Sequence, residues 1–193
     1  KMFPISMITG EPLWNSLPAA KIINYPLEKA DYKPYAQARV CISNDDLHLQ
    51  LLAFEVEPEE KSIVGAALAF YPEEDGGRRY FWFSTNRSGA LVCKFIDEIN
   101  GTEQDISKNV AVRIYAGEDE QGVYWCSCFT MPLAAAEQLC GTHYLAPGHK
   151  MKGNFYKLCD GERPHYGSFY PTDFTAVNPL GSAFFGDFEL AEY

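Results

Sequence analysis

The stretch GNFYKLCDGERPHYGSFYP, residues 153–171, contains the residue types of several catalytic sites. Cys159, Asp160 and His165 could together supply a nucleophile, an acid and a base, alongside the carboxylate of Glu162. A cysteine nucleophile requires a pKa lowered by a neighbouring cation or a helix N-terminus, whereas the immediate neighbour here is the anion Asp160. The residue types in this stretch therefore do not predict a cysteine hydrolase.

Carboxylate and metal chemistry receive no stronger support. Glycoside hydrolysis needs two facing carboxylates, and nothing in the sequence singles out one pair among 26 acidic residues. Glu55 and Glu57 precede Pro58 at the end of a predicted strand, and we interpret both as solvated side chains. The histidines are dispersed and do not show zinc-ligand spacing: His48, His143, His149 and His165. We therefore predict no catalytic residues and no metal ligands.

Composition favours binding of a neutral, flat ligand over binding of a polyanion. Aromatic residues make up 15% of the chain, which suits pleated surfaces and stacking on sugar rings. The formal net charge of −10 opposes association with phosphates, so we expect neither nucleic acid nor a membrane as partner.

The six cysteines do not form a recognisable disulfide or metal framework. Cys126 and Cys128 stand two apart in a predicted strand, so their thiols should share one face and not bridge easily. We expect reduced thiols and a cytoplasmic location. The segment KMFPISMITG has no continuous apolar region typical of a secretion signal, although removal of an earlier signal is the open alternative.

Alternating runs separated by turn residues predict the elements that must position any site. Three hairpins turn at residues 44–46, 86–89 and 117–122, and LAAAEQLCG predicts one short helix that ends at Gly141. Many short strands and little helix predict an all-β chain, an antiparallel β-sandwich of jelly-roll type with one short helix. We expect a single domain over residues 1–193 in which residues 1–35 form an extended lead-in.

Strand RRYFWFSTN supplies the predicted platform for a ligand. Alternation places Phe81 and Phe83 toward the core and Tyr80, Trp82 and Ser84 on the opposite face. An indole ring flanked by planar polar groups is the usual composition of a sugar site. Trp82 is therefore the predicted stacking platform.

The C-terminal third resembles the carbohydrate-binding module family 9-like proteins, which are related to the DOMON sandwiches. The resemblance rests on Gly153–Lys157, Asp160, Pro164-His165 and Phe185-Gly186, and the hairpin RRYFWFSTNRSGAL is also similar. It implies a jelly-roll β-sandwich that binds carbohydrate without catalysis. The chain departs from the family pattern at four positions that are usually polar, which are occupied here by Val64, Leu68, Trp82 and Ser84.

The predicted function is non-catalytic binding of a mono- or oligosaccharide. The predicted ligand-binding residues are Trp82, Arg79, Asn86, Asn154, Tyr156, His165 and Tyr166. We expect no cofactor, with a structural calcium as an open possibility. Residues 153–157 and 164–169 are predicted to form a long ordered loop that crosses the sandwich.

Three alternatives stay open at this point. The first is a carbohydrate-processing enzyme with two carboxylates, or an accessory domain of a glycoside hydrolase. The second is a protein-interaction domain that has lost sugar binding, which the apolar residues Val64 and Leu68 would favour. The third is a haem-binding relative that uses Met7, Met131 or Met151.

Overall fold

The computed structural model describes residues 2–27, 31–141 and 144–193, so the predicted loop residue His143 lies outside the described residues. Within these ranges the chain forms thirteen strands and two α-helices. The strands are β1 (Phe3–Ile8), β2 (Ala20–Ile22), β3 (Ala36–Ser43), β4 (Asp46–Ala53), β5 (Ser62–Ala69), β6 (Arg79–Asn86), β7 (Val92–Asp97), β8 (Thr102–Asp105), β9 (Ala111–Asp119), β10 (Gly122–Pro132), β11 (Lys150–Cys159), β12 (His165–Ser168) and β13 (Gly186–Glu192). The helices are α1 (Pro72–Asp75) and α2 (Leu133–Cys140).

The strands join into one large sheet in the order β8-β7-β6-β5-β11-β13-β1-β3-β4-β10-β9, with β12 on β11 and β2 on β3. The prediction of an all-β chain with little helix is confirmed. Purely antiparallel pairing is corrected, because β1 lies parallel to both β13 and β3 and makes the sheet mixed. The segment 1–35 is thus more than a lead-in, since β1 is an internal strand.

The sheet curls so that its two halves enclose a common core. Val64, Phe83 and Phe155 on one half share a buried cluster with Leu49 and Phe129 on the other. The rings of Phe83 and Phe129 meet edge to face with centroids 6.0 Å apart. The predicted alternation of β4 and β6 is confirmed, because their apolar faces point into this core.

The predicted turns and helix are confirmed at their expected positions. Asn44 and Asp45 both adopt the left-handed conformation, with φ of 52° and 64°, as a two-residue β3–β4 hairpin requires. Helix α2 ends at Cys140 and is followed by Gly141 with φ of 84°. Among the described residues, no helix has the length and apolar character needed to cross a membrane.

The predicted loop over residues 153–157 and 164–169 is wrong, because residues 153–157 lie within the internal strand β11 and His165–Ser168 form β12. This strand pairs with β5, β12 and β13, which satisfies its backbone on both sides. Gly153 is required there, because a Cβ atom would lie 2.0 Å from the backbone oxygen of Ala67 on β5. The motif that carries the family resemblance therefore includes a strand at the centre of the sheet.

A second, smaller apolar cluster lies on the outer face of β5, β6 and β11. Its buried members include Ala67, Trp82 and Tyr156, and Phe174 and Phe185 of the C-terminal segment pack against it. The C-terminal segment thus covers the face on which the stacking platform was predicted.

Candidate functional site

Trp82 is buried in the second cluster. Its side chain is 8% exposed, its Nε1 donates to Ser84 Oγ over 3.1 Å, and its ring packs on Tyr156 at 5.5 Å. Tyr156 is fully buried, and its hydroxyl is without a hydrogen-bond partner among the described residues. Neither ring presents an open face for a sugar in this structure.

Asn154 fastens the C-terminal segment to β11. Its Nδ2 donates to the oxygens of Tyr170 and Thr172, each at 3.1 Å, and its Oδ1 accepts from the backbone N–H of Tyr170 at 2.8 Å. The fully buried amide thus uses its donors and its acceptor within the fold.

The other polar residues of the predicted site also bind neighbouring parts of the chain. Arg79 Nη2 donates to the carbonyl of Leu139 at 2.9 Å, and Asn86 Nδ2 donates to the carbonyl of Glu60 at 3.0 Å. Tyr166 donates its hydroxyl to Asp160 at 2.9 Å. The predicted site residues are thus spread over separate contacts, and their contact with sugar stays a prediction.

His165 belongs to a buried polar cluster that joins β11, β12 and the segment after β4. Lys157 Nζ lies 2.5 Å from Ser62 Oγ, 2.7 Å from His165 Nε2 and 3.1 Å from Glu55 Oε1. Trp125 Nε1 also donates to Glu55 Oε1, at 3.1 Å. Lys157 is fully buried and Glu55 is 4% exposed. The prediction that Glu55 is solvated is wrong, because this ion pair neutralises it inside the protein.

Hydrogen bonding fixes the proton positions in this cluster. His165 Nδ1 faces the carbonyl of Arg163 at 2.9 Å, so Nδ1 carries the hydrogen and Nε2 accepts from the Lys157 ammonium. Burial and the Lys157 charge lower the pKa of His165 to about 4, which keeps the ring neutral. Burial acts to raise the pKa of Glu55, but Lys157 and hydrogen bonds from Trp125 and Ser62 bring it below its ordinary value.

A covering layer separates the cluster from solvent. The Tyr32 ring packs edge-on against His165 at 5.3 Å, and the Arg163 guanidinium lies 4.6 Å from the Tyr32 ring centre. Glu59 holds the loop before β12 by accepting the backbone N–H groups of Glu162 and Arg163 at 2.7 and 2.9 Å. The Lys157 ammonium donates to Ser62, His165 and Glu55, all within the protein. The cluster therefore has a structural role.

The cluster predicts a loss of stability in mild acid. Because the pKa of His165 is about 4 in the folded chain and 6.5 ordinarily, the unfolded chain binds more protons between these values. The free energy of unfolding should therefore fall as pH falls from 6.5 to 4, by about 3 kcal/mol from this group. The loss of the Glu55 charge adds to it below pH 4.5, its ordinary pKa.

Urea unfolding at a series of pH values measures this slope. His165→Gln should flatten the slope between pH 6.5 and 4. His48→Gln, a change on the partly exposed outer face of β4, should retain it. An unchanged slope in His165→Gln would show that other groups cause the acid sensitivity.

An open groove lies on the other half of the sheet, on the outer face of β3, β4, β9 and β10. Its volume is about 650 Å³. The floor is formed by alternate residues of β3 and β4 and the residue that follows β4: Gln37, Arg39, Gln50, Leu52 and Phe54. One wall is the segment 12–15 with Trp14, and the other is the β9–β10 hairpin with Tyr115 and Tyr124. The groove therefore combines aromatic rings with planar polar side chains.

A chain of hydrogen bonds orients the polar groups of this floor. Gln50 is 6% exposed. Its Oε1 accepts a hydrogen bond from Arg39 Nη1 at 3.4 Å, and its Nε2 donates to the Tyr115 hydroxyl at 3.2 Å. Arg39 Nε donates to the carbonyl of Leu17 at 3.2 Å. The Phe54 and Tyr124 rings pack edge to face at 5.7 Å. The floor is thus held in place by the fold before any ligand arrives.

A second groove, of about 420 Å³, continues along the same face. Trp14 and Tyr115 line both grooves, and the second adds His48, Arg113 and Cys128. The predicted placement of Cys126 and Cys128 on one face is confirmed, with their sulfur atoms 4.0 Å apart. Together the two grooves form an extended surface that we call the groove face.

Part of the groove face was readable in the sequence. Alternation in β4 places His48, Gln50, Leu52 and Phe54 on one face, and the structure confirms that this face is opposite the core. Trp14 could not be assigned to the site, because residues 9–17 lack periodicity. The tertiary fold alone brings it to the grooves.

Comparison with known proteins supports the fold. No family model matches the sequence, and no curated protein is significantly similar to it. A Bacteroides uniformis protein described as a candidate carbohydrate-binding protein has a TM-score of 0.72 at 20% identity, with 98% of this chain and 100% of that chain covered.

Two family 9 carbohydrate-binding module structures from Caldicellulosiruptor kristjanssonii are also similar. The complex with cellotriose has a TM-score of 0.62 at 12% identity, covering 100% of this chain and 95% of that one. The complex with glucose has a TM-score of 0.60 at 11% identity, covering 98% and 96%. The resemblance to family 9-like modules is therefore confirmed at the level of the fold.

Proposed function

We propose, from the premise that this chain has the fold of family 9 carbohydrate-binding modules, that it binds a mono- or oligosaccharide without catalysis. The observation that carries the proposal is the groove face, where Trp14, Tyr115 and Tyr124 surround the planar polar groups of Gln37, Gln50 and Arg39. The related structures that hold cellotriose and glucose support it.

The chemistry of the groove matches that of a pyranose ring. Such a ring has apolar C–H faces that stack on aromatic side chains and a rim of hydroxyls that need paired donors and acceptors. Gln37 lines the groove and its Oε1 accepts from the Tyr35 hydroxyl at 3.1 Å, whereas its amide donors make no hydrogen bond to a described residue. Because the floor is preformed, little ordering free energy opposes binding.

The acidic groups favour binding over hydrolysis. Among the described residues, one carboxylate lines each groove, Asp119 the larger and Glu11 the smaller, whereas the common hydrolytic mechanisms need two acids that flank one bond. Glu55 cannot supply the second, because it is buried against Lys157 away from this face. Neither groove therefore contains a pair of acids for hydrolysis among the described residues.

The alternative of a protein-interaction domain was based on the apolar residues Val64 and Leu68, which do not form an exposed surface. Val64 and Leu68 are fully buried in the main core and face the opposite side of β5 from Ala67, which pairs with Trp82. The interpretation that they had replaced polar groups on a ligand face is therefore wrong. They pack the interior and expose no docking surface. Met131 and Met151, considered above for haem, also lie in this core.

Removal of the Trp14 ring tests the proposal. We expect Trp14→Ala to weaken sugar binding by about fivefold or more, because stacking contributes on the order of 1 kcal/mol beyond area burial. Isothermal titration against glucose, cellobiose, xylobiose, galactose and a mixed plant-oligosaccharide digest supplies the measurement.

Tyr144→Ala is the matched control, since Tyr144 is 89% exposed and lies outside both grooves. It should bind like the unaltered protein. Binding that survives in Trp14→Ala would move the site elsewhere, and a folded protein that binds nothing in the panel would argue against sugar binding itself.

A further inference from the structure

Two arginines on the groove face have no acidic partner. Within the described residues, neither Arg39 nor Arg113 forms a salt bridge, although the chain carries 26 acidic residues against 16 basic ones. Two lysines on the other half of the sheet are paired, Lys94 with Glu103 at 3.0 Å and Lys152 with Asp187 at 2.9 Å. The groove face therefore presents two arginines that no described carboxylate neutralises.

The backbones of the two arginines lie in one row that crosses four neighbouring strands. Arg39 is opposite Gln50, Gln50 is opposite Cys128, and Cys128 is opposite Arg113. Three strand spacings of about 4.8 Å separate the two arginine backbones, a span of about 14 Å. Arg39 lines the larger groove and Arg113 the smaller one. Each groove is therefore lined by one arginine, and the two grooves share Trp14 and Tyr115.

Unpaired arginines in preformed grooves are suited to carboxylates. The guanidinium fork matches a carboxylate bidentately, and binding here would break no existing ion pair. Asp119 and Glu11 also line the grooves, but neither comes within ion-pair distance of these arginines. The net charge of −10 acts weakly at this range, since physiological salt screens charges beyond about 8 Å.

We infer that the groove face binds an acidic oligosaccharide, one that contains uronic acid, with Arg39 and Arg113 each receiving a sugar carboxylate. This inference rests on the proposed function and narrows it to a ligand class. Trp14 and Tyr115 would stack on the rings between the two charged positions. Gln50 would hold Arg39 in place from below.

The test compares two ligands that differ in the carboxylate alone. Oligogalacturonides and the same oligomers after reduction of the carboxyl groups to alcohols are titrated into the full chain, and oligoglucuronides form a second pair. We expect the acidic oligomer to bind about tenfold to a hundredfold more tightly, because charge-assisted hydrogen bonds contribute more than neutral ones. The preference should shrink with added salt.

Variants of the two arginines test whether these residues cause the preference for the acidic oligomer. Arg39→Gln and Arg113→Gln should each reduce the preference for the acidic oligomer, whereas Arg87→Gln, an exposed change in the β6–β7 turn, should leave it intact. Arg113 is exposed and makes no hydrogen bond to a described residue, so its variant carries the test if Arg39→Gln fails to fold.

The outcomes separate the two proposals. Equal or tighter binding of the reduced oligomer would overturn the acidic ligand and leave sugar binding standing. A preference that both arginine variants retain would also overturn it. Failure of every oligomer to bind, with binding of a neutral sugar from the earlier panel retained, would overturn this inference alone, and failure of both sets on the folded protein would overturn sugar binding as well.

Discussion

Replacing Lys157 with methionine should lower the free energy of unfolding by about 3 to 5 kcal/mol, the usual cost of leaving one member of a buried ion pair alone. Methionine fills a similar volume, so the loss reports charge and hydrogen bonding. The variant leaves Glu55, which is 4% exposed, without its cationic partner, and it removes the donor to His165 Nε2. Urea unfolding at pH 7 measures the change.

Lys150→Met is the matched control for this variant. Lys150 lies on the same strand, but its side chain is 51% exposed and meets Glu189 at 3.5 Å on the surface. Its replacement should cost at most about 1 kcal/mol. The double variant Lys157→Met with Glu55→Gln should recover part of the loss, because no carboxylate is then left unpaired. Equal losses in the two single variants would contradict the buried ion pair.

Replacing Trp82 with alanine should also cost about 3 to 5 kcal/mol of unfolding free energy, as expected for a large buried aromatic side chain. Sugar affinity of the folded variant should stay unchanged, because Trp82 lies beneath the C-terminal segment and the groove face lies on the other half of the sheet. Thermal or urea unfolding gives the first quantity, and isothermal titration gives the second.

Trp82 and Trp14 therefore form a reciprocal pair of tests. Trp82→Ala should lose stability and keep binding, whereas Trp14→Ala should lose binding with a smaller cost in stability, since Trp14 is partly exposed. The opposite result, a stable Trp82→Ala that no longer binds sugar, would restore the stacking platform predicted from the sequence. Trp82→Phe keeps one aromatic ring but removes the indole donor to Ser84, so it should cost less stability than Trp82→Ala.

Local pattern was sufficient to predict the hairpins but not the central strands. The β3–β4, β6–β7 and β9–β10 hairpins combine alternation with turn residues, and both signals are local. Strand β1 pairs in parallel with β13, which is far from it in the sequence. No local turn therefore predicts this pairing. Strand β11 includes Gly153, Asn154 and Lys157, which are poor strand formers; long-range contacts determine their conformation.

The site was less predictable than the fold for the same reason. Glu55 stands among other acidic residues in FEVEPEE, so its sequence neighbours suggest a solvated strand end. Its neutralising partner Lys157 comes from β11, far along the chain, and only the folded sheet brings them together. Alternation correctly divided the faces of β6, but it could not show that the C-terminal segment covers the Trp82 face.

The place of β13 in the sheet bears on how the chain acquires its structure during synthesis. This strand joins β11 to β1 and so connects the two halves of the sheet, yet the ribosome makes it after the other twelve strands. Each half can form hairpins as it emerges, but the hydrogen-bonded path of the sheet from β11 to β1 is completed only when β13 is available. Nascent chains that end before Gly186 therefore leave unpaired backbone on residues 150–153 of β11 and on the β13 side of β1, and we expect such edges to attract chaperones or to aggregate.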